Sequence, residues 1–199
     1  TAGIYKGNNR IIGCSNRGSV TAGGYVGGIL AEIPINSACN VLIESCFNTG
    51  TLTATNQTED QHIGGIVGMG FDRILNCYHA GTLEAGSTSG RSYRGGILGY
   101  VAKGTGAATL AHNYSVQSAS LSVGGQAEDA VLADDTTLML ASSMQEESFV
   151  DTLNSYEKPV SLYAVTFAMD SQTENNGYPV IGKLERIKNY NAAITDFSL

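Results

Sequence analysis

The chain has no tryptophan, only three prolines and little positive charge: 11 Lys and Arg stand against 18 Asp and Glu in 199 residues, a formal net charge of −7. Basic residues this sparse exclude a nucleic-acid surface or a polybasic membrane contact, since both need clustered Lys/Arg to neutralise phosphates or anionic lipids. No apolar run approaches the ~20 residues of a membrane helix, so no membrane insertion is expected of this chain. Four cysteines are too few for a disulfide framework at this length. The opening Thr1-Ala2-Gly3-Ile4 carries neither Met nor a basic leader and reads as a mature product or as part of a longer chain. Glycine is what the sequence has in excess: 25 residues, nearly twice a usual share of about 7%. With 42% apolar residues the chain buries a core, and its glycines belong where the backbone bends tightly or packs closely.

Two phrases alternate along the first two thirds of the chain. One is Gly-Gly-Ile-(Val/Leu)-Gly, at Gly64–Gly68 and Gly95–Gly99, worn to Gly27-Gly28-Ile29-Leu30-Ala31 and weaker still at Ala2-Gly3-Ile4-Tyr5. The other is Ile43-Glu44-Ser45-Cys46-Phe47-Asn48-Thr49-Gly50-Thr51-Leu52, repeated at Ile74–Leu83 and Ile11–Val20 and decayed at Leu110–Ser115, where Asn113 replaces the cysteine. Cys14, Cys46 and Cys77 are thus 32 and 31 residues apart, with 36 more to Asn113. Apolar runs of three to five β-branched residues between Gly, Asn and Thr predict short strands, not helices. Three strand segments per unit follow: one at Gly-Gly-Ile, one at Ile-x-x-Cys, and one after Gly18, Gly50 and Gly81. No such unit buries its apolar face alone, but units stacked at ~4.8 Å do. The expected fold is all-β, a parallel β-helix or β-solenoid of about four coils over residues 1–125. Residues 126–199 would form a small mixed C-terminal cap containing one short helix.

This pair of phrases resembles the GLUG-motif repeats of large bacterial surface and secreted proteins, among them adhesin-like proteins and IgA-specific metallopeptidases. The resemblance spans roughly residues 2–125. The stretches Met144–Asn154 and Asn175–Ile181 resemble the segment that closes such arrays. It implies an extracellular or cell-surface setting and no catalytic residue in the repeats. A peptidase bearing them does its chemistry in another domain.

In the closing segment, Ser143 and Glu146 have capping-box spacing, and Phe149, Val150 and Leu153 fall on one helical face, predicting a helix over 143–154. Strands are expected at Val160–Met169 and Val180–Leu184, and a tight turn at Asn176-Gly177. This segment is expected to cover the open strand edge that a repeat array leaves at its end.

The candidate chemistry is thin. Cys14, Cys46 and Cys77 share one register and are expected as an inward thiol ladder, though neighbouring strands also bring cysteines within disulfide reach. Cys39 falls in an insertion loop. No Cys-x-x-Cys spacing exists, and His62, His79 and His112 fall in three registers, so no metal site and no cofactor is expected. Glu128-Asp129 and Asp134-Asp135 match no calcium loop and read as a solvated face. Phe47, Tyr78 and Tyr114 share the position after the cysteine. They are either a structural ladder or an outward one able to stack against sugars, and strand parity does not decide which. No catalytic residue is identified. The expected function is therefore a non-enzymatic module of a bacterial cell-surface or secreted protein, a stalk or an adhesive surface for a host glycan or host surface protein. The alternatives are a carbohydrate-active β-helix enzyme on acidic polysaccharide and a substrate-docking accessory domain of a secreted metallopeptidase.

Overall fold

A computed structural model describes residues 7–34, 39–103, 107–157 and 163–186. Three coils have the same five-strand outline. The first comprises β1 (Gly7–Ile12), β2 (Ser15–Asn16), β3 (Val20–Ala22), β4 (Tyr25–Gly27) and β5 (Leu30–Glu32). The second comprises β6 (Cys39–Glu44), β7 (Phe47–Asn48), β8 (Thr51–Ala54), β9 (Gln61–Gly64) and β10 (Val67–Gly70). The third comprises β11 (Arg73–Leu75), β12 (Tyr78–His79), β13 (Thr82–Ala85), β14 (Ser92–Gly95) and β15 (Leu98–Val101). Each strand pairs in parallel with its equivalent one coil away, so that Ile11, Ile43, Ile74 and Leu110 lie in file, as do Val20, Leu52 and Leu83. The chain is a β-solenoid, as the repeat predicts.

Two of the three expected segments per unit are split by corners. The Gly-Gly-Ile phrase straddles one, ending β9 at Gly64 and starting β10 at Val67. The Ile-x-x-Cys phrase straddles another, at which Gly13, Ser45, Asn76 and His112 all take φ between 50° and 61°. Left-handed backbone at one residue per coil turns the strand without lengthening it. It also resets the alternation of side chains, so Ile43 and Cys46, three apart, both point into the core.

The interior has two compartments. The larger is built on Ile43, Cys46, Ile66, Val67, Ile74, Cys77, Ile97 and Leu98, and the smaller on Val26, Leu52, Ala54 and Ile63. Each fully buried aliphatic side chain contributes roughly 1.5–3 kcal/mol. Between them lies a polar ladder, Asn16, Asn48, His79 and Ser115, registered coil on coil. It presses against the opposite wall at Gly28, Gly65 and Gly96, where an added Cβ would lie 2.6 Å from Asn48 Cβ, 2.3 Å from His79 Cγ and 1.9 Å from Ser115 Oγ. The second glycine of the phrase exists to admit this ladder.

The fourth coil is abbreviated. β16 (Ala108–Val116) spans both β11 and β12. The chain then passes from Ser115, above His79, to Val123, above Leu98, through a 3-10 turn at Gln117–Ala119. Among the described residues the β3-β8-β13 and β4-β9-β14 walls therefore stop at the third coil. The first wall goes on, since β17 (Leu132–Met139) pairs in parallel with β16. Parallel stacking thus continues past residue 125, where the phrases end, because backbone pairing needs no particular side chains.

The closing segment contains α1 (Glu147–Asn154), preceded by a 3-10 turn at Ser143–Gln145, and an antiparallel pair, β18 (Tyr163–Ala168) with β19 (Val180–Arg186). The capping box does not form: Glu146 is itself the extended residue before the helix, and no side chain caps its N-terminus. Of the expected strand from Val160, residues 160–162 lie outside the described residues. The turn is present, with φ of 53° at Asn176 and 81° at Gly177. Cys39 starts a strand rather than lying in a loop. The placement of the cap also differs from expectation. It lies along the side of the solenoid, where Phe149, Val150, Leu153, Val165 and Phe167 pack on Phe47 and Tyr78. The corner turns those rings outward, and an apolar outer strip needs covering more than a strand edge does.

Candidate functional site

Phe47, Tyr78 and Tyr114 are brought into one file by the register of β7, β12 and β16. Phe47 and Tyr78 stack at 5.0 Å with an interplanar angle of 6°, and Phe149 meets Tyr78 and Tyr114 edge-on at 5.6 and 5.2 Å. The Tyr78 hydroxyl donates to the Pro179 carbonyl and accepts from Asn175 Nδ2. Phe47 is 2% exposed and Tyr78 not at all, and Tyr114 is half-buried. The file faces outward, but the cap occupies it. Phe47 and Tyr78 are enclosed by the cap and stacked face on face, so neither offers a ring face to a sugar, while Tyr114 is half-buried with its ring edge-on to Phe149.

A second aromatic file stands uncovered by the cap. Tyr25, His62 and Tyr93 stack at 5.2 Å each, and Tyr100 leans against His62 and Tyr93 at 4.8 Å. The sequence holds its signal, since each member stands two residues before the first glycine of the phrase. Burial lowers the His62 pKa, with Asp60 opposing. Here too the faces are spent on one another.

The thiols form the expected ladder, buried at Cys46 and Cys77 and exposed at its Cys14 end. The Cys14 and Cys46 N–H groups each donate to the sulfur of the next coil's cysteine at 3.3 Å, and Cys77 N–H donates to Asn113 Oδ1 at 2.9 Å. Cys14, Cys46 and Cys77 are all free. Burial pushes the Cys46 thiol well up, and at Cys14 the bond with Cys46 and then burial do the same. At Cys14 and Cys46 the protonated thiol is therefore favoured, which makes both poor nucleophiles. His62, His79 and His112 lie in three different files, and among the described residues no cluster of His, Cys, Asp or Glu is arranged to hold a metal. Asp134, Asp135, Glu128 and Asp129 are exposed, and Asp129 pairs with Lys103 at 2.6 Å.

His79 is the anomaly of the polar ladder. Asn16 and Asn48 each bond the amide and carbonyl of the glycine two residues on, Gly18 or Gly50, and Asn16 Nδ2 donates to Asn48 Oδ1 at 2.7 Å. Asn48 Nδ2 then donates to His79 Nδ1 at 3.0 Å, which leaves the buried Nε2 without a partner. Burial depresses the His79 pKa to about 4 from an ordinary 6.5. Because the folded pKa is the lower, protons bind the unfolded chain first as pH falls below 6.5. Stability is then lost down to about pH 4 and levels off, a contribution of about 3 kcal/mol. His79→Asn is expected to remove that part of the acid sensitivity. At pH 7 it should match or exceed the parent by up to about 1 kcal/mol, by bonding Gly81 as its neighbours bond theirs. Urea unfolding of both proteins at pH 7 and pH 4 measures the difference.

A cavity opens where the fourth coil is cut short. It measures about 490 Å³ and is bounded by Thr82 and Leu83 of β13, Ser92 and Arg94 of β14, and the passing segment Ser118–Leu121. Leu83, half-buried at the top of the smaller core, forms part of its floor, and Leu121 is 54% exposed. Comparison with protein-family models, curated proteins and solved structures gives no match.

Proposed function

We propose that the chain is a non-enzymatic module of a bacterial cell-surface or secreted protein, part of a longer chain, in which the solenoid presents a rigid side and end to a host glycan or host surface protein. The observation that carries this reading is the use made of reactive side chains. His62, His79 and the thiols are each stacked in a different file and committed to holding coil on coil. Resemblance to GLUG-motif repeats supports the extracellular setting. The experiment is a glycan and host-protein binding array, run beside incubation with acidic polysaccharides assayed for new reducing or unsaturated ends. Saturable binding without turnover is the expected result, and turnover would overturn the reading in favour of a carbohydrate-active enzyme.

A further inference from the structure

The shortened fourth coil leaves a step in the solenoid. From the polar ladder to the fourth wall the third coil uses the stretch from His79 to Leu98, and the next coil covers the same distance from Ser115 to Val123. Among the described residues β13 and β14 are paired on one side only, to β8 and β9, while the first wall rises two coils above them in β16 and β17. Their far edges hold backbone N–H and C=O groups against which no strand is registered among the described residues. The 490 Å³ cavity lies on these edges.

We propose that this step is a strand-acceptor site, in which an extended segment of another protein pairs in parallel with the open edge of β13. Main-chain bonds supply affinity in such additions, and pockets for alternate side chains supply specificity. The files already present define what fits. The inward position above Val20, Leu52 and Leu83 takes an apolar side chain beside Leu121, and the position above Ala22, Ala54 and Ala85 takes a small one. Arg94 lines the same cavity, is exposed, and makes no ion pair among the described residues, so a carboxylate of the incoming segment belongs there. The exposed Glu84 on β13 disfavours further negative charge beside it, and charged residues on an edge reject indiscriminate pairing. The occupant is thus an extended peptide with an apolar residue and a small residue two apart, preceded by acid on the side of Gly81–Leu83 that Arg94 shares. This assignment rests on the binding-module reading and adds the partner's class.

The probe is a fluorescein-labelled peptide with the sequence of Gly50–Ala54, the strand that pairs with the opposite edge of β13, preceded by two aspartates. Saturable anisotropy is expected, with slowed amide exchange at Thr82–Ala85. Leu121→Asp and Arg94→Glu, both at exposed positions the fold does not depend on, are each expected to weaken binding about tenfold, and a peptide with Asp in place of its Leu should not bind. No saturable binding at millimolar peptide, or binding indifferent to both substitutions, would overturn the proposal. Concentration-dependent dimerisation abolished by Leu121→Asp would also overturn it, by giving the step to a second copy of the chain. Glycan binding without peptide binding would sink the strand-acceptor site and leave the module reading intact. Glycan turnover would sink the module reading itself.

Discussion

Gly65→Ala is expected to destabilise the protein by about 4 kcal/mol or more, enough to empty the soluble fraction or to move the urea midpoint by most of its range. The methyl would sit 2.0 Å from the Gly96 carbonyl oxygen and 2.3 Å from His79 Cγ. The first contact is with backbone of the next coil and the second with a ring held on both sides, so neither yields without shifting a coil. Gly23→Ala is the control: nothing lies within 4 Å of its added Cβ, and a change within about 0.5 kcal/mol is expected. Equal effects at the two sites, by urea unfolding, would show that close packing of the walls is not what the phrase encodes.

Tyr78→Ala is expected to cost about 3–5 kcal/mol, the range for emptying a buried aromatic site. Its ring lies between Phe47, Phe149 and Phe167, so truncation strips both the solenoid wall and the cap of their shared contact. Tyr78→Phe keeps the stack and loses only the bonds to Pro179 and Asn175, for about 1–2 kcal/mol. The same denaturation series separates the two. A similar loss in both variants would assign the site's value to the hydroxyl rather than to ring packing.

Much of the architecture is legible in the residues. Spacings of 32 and 31 between Cys14, Cys46 and Cys77 are the rung period itself, and the pairing of Ile11, Ile43 and Ile74 follows from them. The direction of the rings after each cysteine is not legible, because parity depends on a backbone reversal that four different residues, Gly13, Ser45, Asn76 and His112, all adopt. Side-chain identity carries no common mark there. The lateral position of the cap was hidden for the same reason: until the rings are known to face outward, nothing calls a cover to that side. The file Tyr25, His62, Tyr93 was open to reading, as its members keep constant distance from the glycine pair. The step was half visible, since the fourth unit loses its Gly-x-Leu segment. Whether the next wall closes or stays open depends on the path of residues 117–121, which their composition does not specify.

Stacked repeats in general fray coil by coil, because each touches only its neighbours. Here Arg17 of the first coil pairs with Glu174 at 2.9 Å, Gly13 faces Val165 and Leu184, Thr49 of the second coil donates to Asn175 Oδ1 at 2.5 Å, Asn76 of the third coil donates to the Leu153 carbonyl at 3.1 Å, and Phe149 reaches Tyr114 of the fourth. A single late-synthesised segment is fastened to the first, second, third and fourth turns at once. Loosening either extremity of the array means detaching that fastening along its length, so the array is expected to melt as one cooperative unit rather than coil by coil.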